Sequence, residues 1–175
     1  MLVLGLTTQS GIYRAVLVLH ILCAIIGFGG VIFNGLYGAQ AKARGGREAA
    51  AIGHAVYRVS SVAEYFIYAV FVLGVALVAL GDNLFDFGQT WIWLSMVLFV
   101  AALGVSHGLL LPRVRRVNAL LDELAEVPVG GTGPPPQAAQ VDALVKQVAV
   151  LEAILDVVLV VLLVFMVFKP GGPRL

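Results

Sequence analysis

IYRAVLVLHILCAIIGFGGVIFNGLYG, residues 12–38, stays apolar for longer than a bilayer is thick. About 20 residues rising 1.5 Å each cross a hydrocarbon core of roughly 30 Å. Arg14 precedes the run, but no small-residue cleavage site follows a short core, so it reads as a retained helix and not a signal peptide. Three further stretches of the same kind lie at 55–81, 90–112 and 141–168. The expected fold is all-α, a polytopic membrane four-helix up-down bundle forming a single transmembrane domain over 1–175.

Composition points the same way. Of 175 residues, 61% are hydrophobic and 12% charged, and the mean hydropathy is +1.00. Soluble domains carry about 25% charged residues, so this chain falls outside that class. A net charge of +1 gives no basic surface for nucleic acid. The single cysteine, Cys23, excludes an internal disulfide and multi-cysteine zinc or iron–sulfur patterns.

Turn chemistry separates the spans at Gly45-Gly46, at Gly81-Asp82-Asn83 and from Gly130-Gly131 to Pro136. Lys42, Arg44, Arg47 and Arg58 gather around the first connection, and Arg113, Arg115, Arg116 and Lys146 around the third. The second carries only Asp82 and Asp86, while Arg14, Lys169 and Arg174 oppose the bias. The positive-inside rule then puts connections one and three in the cytoplasm and both termini outside, in a bacterial inner membrane. Trp91 and Trp93 mark the outer entry of the third helix.

The third helix is expected to outrun the membrane. Val114, Val117, Leu121 and Leu124 continue a helical stripe beyond Pro112, and Val141, Leu144, Val148 and Leu151 lead into the fourth span. The two stripes match in length and predict an antiparallel cytoplasmic hairpin extending helices three and four. Its flexible Gly/Pro connection is 127–140, with VGGTGPPPQ (129–137) as a mobile tip. Lying along the inner membrane surface is the competing arrangement.

Polar residues inside the spans carry the functional signal, because they are costly in lipid. Tyr13, His20, Gly27 and Asn34 recur every seven residues, and Ala24 and Gly30 widen their stripe into a face for close helix approach. Tyr57, Ser61, Glu64 and Tyr68 share a face of helix two, Gly104, His107 and Gly108 one of helix three, and Glu152 and Asp156 one of helix four. By helix rise, His20 lies about 12 Å below the outer end of its span, and Glu64 and Asp156 roughly 15–18 Å below it. His107 and Glu152 fall deeper, at about 24–26 Å. Two layers are expected: His20 with Glu64 and Asp156, and an inner one of His107 with Glu152. Buried His–carboxylate pairs also serve purely structural ends, the tyrosines fit helix packing, Arg58 fits snorkelling to phosphates, and Asp142 with Lys146 fits an i,i+4 pair.

LHILCAIIGFGG (19–30), GLYGAQAK (35–42), AEYFIYAVFVLG (63–74), QTWIWLSMVLFV (89–100) and ALGVSHGLLLPRVRRVNAL (102–120) together closely resemble the bacterial integral-membrane family called domain of unknown function 2269. The resemblance covers nearly the whole chain and implies no activity. Over the first helix alone, His20 followed by Gly27, Gly29 and Gly30 looks like copper-resistance D-type proteins and haem J-type membrane protoporphyrinogen oxidases. In the latter a first-helix histidine binds haem, and His20 matches it. The chain departs from that pattern in lacking a lysine in the third span and in placing its aromatic at Phe28.

Three functions compete. The first is a cofactor protein: haem b on His20, or a transition metal on His20, Glu64 and Asp156. A depth difference of roughly 13 Å speaks against one haem spanning His20 and His107, which leaves one histidine or a His20 from each of two subunits. The second is a proton- or cation-coupled transporter using the same carboxylates and histidines, with four helices implying a homodimer and no inverted repeat in view. The third is an accessory subunit offering the hairpin to a membrane-complex partner. Whether the chain is an enzyme is left open; no phosphate loop, G-x-S-x-G elbow or H-E-x-x-H is present.

Overall fold

The computed structural model describes residues 11–81, 85–126 and 136–171, and there the chain is helical with short connections. Asp82 and Asn83 of the second break, the connection 127–135 and Arg174 lie outside the described residues. The helices are α1 (Gly11–Gly29), α2 (Asn34–Arg44), α3 (Gly46–Ala79), α4 (Thr90–Val105), α5 (Leu111–Glu126) and α6 (Pro136–Phe168), with a π-helical turn, Ser106–Leu110, joining α4 to α5. Four helical stretches are long and apolar enough to cross a membrane: Gly11–Arg44, Gly46–Ala79, Thr90–Glu126 and Gln137–Phe168.

These limits differ from the apolar runs for physical reasons. Residues 39–54 carry too much charge for a hydrocarbon core but are rich in Ala, Lys, Arg, Gln and Glu, which are good helix formers. They are helical up to a single-residue connection at Gly45. Gly45 and Gly46 have φ of 67° and 52°, a left-handed backbone that glycine adopts without steric penalty. The first run is not one helix, since Gly30–Phe33 form a turn between α1 and α2. The Gly29-Gly30 pair lowers helix propensity by about 1 kcal/mol per residue there. Pro136 occupies the first helical position of α6, where its missing N–H costs nothing.

Helix three does continue past Pro112. A proline inside a helix removes one backbone bond and crowds the carbonyl four residues back. The π turn just before it absorbs this, with the Leu111 N–H reaching the Ser106 carbonyl, five residues back. Two side chains bond carbonyls in the same stretch. His107 Nδ1 donates to Leu103 O at 2.9 Å, and Arg113 Nη1 to Leu109 O at 2.7 Å.

The chain divides into two compact units. The first holds residues 1–30, 62–101 and 158–175. Within it α1 lies against the second half of α3. A β-carbon on Gly30 would sit 2.7 Å from that of Ala63, and one on Gly27 would sit 2.9 Å from Ile67 Cγ1. Earlier residues of α1 meet later residues of α3, so the two helices run antiparallel. Phe71 stacks on Phe99 of α4 with centroids 5.3 Å apart. Trp91 is buried, edge-on to Phe85 at 5.9 Å, while Trp93 is exposed. Two residues apart on a helix, the indoles face opposite ways, so Trp91 is taken into the core and Trp93 is left on the surface.

The second unit holds residues 31–61 and 102–157; it buries Ala41, Ala49, Ala50 and Leu120 and adds polar contacts between its helices. Asn34 Nδ2 donates to Ser60 Oγ at 3.0 Å. His54 Nε2 lies 2.8 Å from Asp122, and Arg115 Nε donates to the Tyr57 hydroxyl at 3.2 Å. Arg113 Nε donates to Gln147 Oε1 at 2.9 Å, and Lys42 pairs with Asp142 at 2.9 Å. Asp142 thus reaches α2 instead of Lys146 on its own helix. Both stripes expected of the hairpin are half-buried, and Arg113–Gln147 joins α5 to α6. α5 also packs along α3, where a β-carbon on Gly53 would lie 2.6 Å from Asn118 Oδ1. The amphipathic segments therefore have partners beyond each other.

Overfilling the α1–α3 contact is expected to cost stability. Gly30→Val should lower the unfolding free energy in detergent by about 1–3 kcal/mol. Gly104→Ala, where the added carbon meets open space within α4, should be neutral or stabilise by up to about 1 kcal/mol. Equal denaturation midpoints for parent and Gly30→Val would remove the contact from the set that holds the fold.

Candidate functional site

His20 sits midway along α1 on the face that Gly27 turns towards α3. Its imidazole fits there because α3 presents Gly74 opposite. A β-carbon on Gly74 would lie 3.3 Å from His20 Cε1 and 3.8 Å from Nδ1. The ring is half-buried, and Nδ1 is buried without a hydrogen-bond partner. A neutral imidazole carries one donor and one acceptor, and a buried polar atom left unmatched costs about 1–3 kcal/mol. Among the described residues His20 is the place where the fold holds a polar ring without fully satisfying it.

Glu64 is also half-buried and accepts a hydrogen bond from the Tyr68 hydroxyl, one turn further along α3. It precedes Gly74 by ten residues, about 15 Å of helix rise. His20 and Glu64 are therefore in one unit but are not side by side. The depth count missed this because it assumed that both spans begin at the membrane edge, whereas α3 starts well before it. Asp156 is half-buried on α6 and belongs to the second unit. Among the described residues no three His, Cys, Asp or Glu side chains come together as a metal-holding group.

The inner pair is placed differently. His107 is exposed on the π turn and bonds back to its own helix. Glu152 is half-buried, with Oε2 4.0 Å from the position of a β-carbon on Gly35 of α2. The Arg113–Gln147 bond sets the α5–α6 register. Six residues back from Arg113 is His107 and five on from Gln147 is Glu152, so both stand roughly 8–9 Å from that bond in the same direction.

Sequence reading passed over two participants. Gly74 is the one glycine inside YAVFVLGVALVA (68–79), and that isolation was its signal. His54 lies just before the apolar run 55–81, and with Asp122 it bridges α3 and α5. His54 and Asp122 are each about half exposed, 53% and 51%, which marks a surface pair of modest energy.

The chain matches, over residues 14–170, the family described as a predicted integral membrane protein, DUF2269. No curated protein and no solved structure matches. The first-helix likeness to copper-resistance D-type and haem J-type proteins thus rests on His20 and its glycines alone. With four membrane-capable helices and a match spanning nearly its whole length, the chain belongs to the DUF2269 family of integral membrane proteins.

Proposed function

We propose that this protein binds haem b through His20. The observation carrying the reading is the buried, unpartnered Nδ1 of a histidine seated on the bare backbone of Gly74. A single neutral imidazole per chain, that of His20, would be enough to hold a haem, which would supply one-electron redox chemistry. Copper or zinc sites need three or four protein ligands, and Glu64 stands about 15 Å along α3 from the level of His20, so geometry favours haem over a bare ion. The detergent-purified protein, grown with haem supplementation, should show a Soret band that sharpens on dithionite reduction. His20→Ala should abolish it while the protein remains folded and inserted. An unchanged spectrum in that variant, or a colourless parent, would end the haem reading.

A proton- or cation-coupled role is the second reading. It rests on Glu64, Glu152 and Asp156, three half-buried carboxylates within apolar helices. Glu64→Gln, which keeps a hydrogen-bonding group for Tyr68, should fold normally and lose pH-gradient-driven proton flux in liposomes. Failure of that variant to fold would make Glu64 structural.

For topology, we propose an up-down bundle in the bacterial inner membrane with connections one and three cytoplasmic and both termini outside. Eight of the eleven basic residues flank those two connections. In a Cys23→Ser background, Gly88→Cys should react with a membrane-impermeant maleimide on intact cells, and Ala43→Cys should react only after lysis. The reverse pattern would invert the protein.

A further inference from the structure

The second unit carries a layer of cations at one height. Arg115 bonds Tyr57, which sets Arg58 level with the start of α5. Arg113 bonds Gln147, which sets Lys146 at the same level on α6. Arg58, Arg113, Arg115, Arg116 and Lys146 therefore fall within about 5 Å of height, roughly one helical turn. Among the described residues no acidic side chain shares that level. Glu123 and Glu126 lie 7–10 residues beyond Arg116 on α5, about 10–15 Å away, and Asp122 is taken by His54. Glu152 is about 8 Å away in the opposite direction along α6, and Asp142 and Glu48 are held by Lys42 and Arg44.

The surroundings change across this layer. On one side, apart from the exposed His107, the exposed side chains are apolar and include Val59, Leu109, Val150 and Ile154. On the other they are the charged pairs of Lys42 with Asp142 and His54 with Asp122. That is the profile of a hydrocarbon–headgroup border. Arg115 is anchored through Nε, leaving its two Nη nitrogens, the fork that fits two phosphate oxygens. Arg58, Arg116 and Lys146 are bonded to nothing among the described residues.

We infer that this cation layer is a binding belt for anionic phospholipids, whose headgroup phosphates it engages around the second unit. The inference is independent of the haem reading. Native mass spectrometry of protein extracted from vesicles of equimolar phosphatidylglycerol and phosphatidylcholine tests it. The parent should retain phosphatidylglycerol on the order of a hundredfold over phosphatidylcholine, about fivefold for each of three cations. Arg116→Gln alone should reduce that preference about fivefold, the factor for one cation near an anionic surface. Combining it with Arg58→Gln and Lys146→Gln should remove most of what remains, without loss of helicity by circular dichroism. Arg44→Gln, off the layer, should leave the preference intact. A parent without preference would overturn the inference, as would a triple variant that keeps it or an Arg44→Gln variant that loses it equally. Displacement of the lipid by inorganic phosphate at constant ionic strength would assign the layer to a soluble anion and overturn it too.

Discussion

The close approach of α1 to α3 is the constraint on which the candidate site depends. In lipid no hydrophobic force draws two helices together, so contact comes from van der Waals fit and small residues that let backbones near each other. Gly27 and Gly30 meet Ile67 and Ala63 with no room for a β-carbon. The axis separation set there carries on to His20, whose ring would collide with a larger neighbour than Gly74. An imidazole is thereby enclosed among helices that give Nδ1 no partner. The orphan atom and the tight glycine contact are two results of one spacing.

The units differ in how they are held. The first uses glycine contacts and aromatic packing: Phe71 on Phe99, and Trp91 against Phe85. The second adds hydrogen bonds and ion pairs between helices to its buried Ala41, Ala49, Ala50 and Leu120. In hydrocarbon an unmatched polar group costs several kcal/mol, so it is rare on lipid-facing surfaces; in water an exposed ion pair contributes only about 0–1 kcal/mol. Orienting contacts such as Arg115–Tyr57 and Arg113–Gln147 therefore matter more for register than for stability. They fix which residues share a level.

Much of the fold was legible in the sequence. Hydropathy alone located the four spans, and the heptad spacing of Tyr13, His20, Gly27 and Asn34 identified the side of the first run that meets α3. Three features were not legible. Helix ends were misplaced because hydropathy reports where a chain is apolar, whereas 39–54 is charged and still helical. The shared layer of His20 and Glu64 failed because heights counted from separate helix ends add their errors, and only a contact such as His20 on Gly74 fixes the register. His54 was invisible for a related reason: its partner Asp122 is 68 residues away, and no periodicity links the two.

The single-residue connection at Gly45 has a consequence for how the protein ages in a cell. A protease takes its substrate as an extended strand several residues long, and surface loops usually supply one. Between Arg44 and Gly46 there is a single residue, and the backbone turns at Gly45 and Gly46, both at positive φ, with helix on both sides. Cleavage at this connection requires a helix end to unwind first. The α2–α3 junction is then as durable as the helices it joins, whichever side of the membrane it faces.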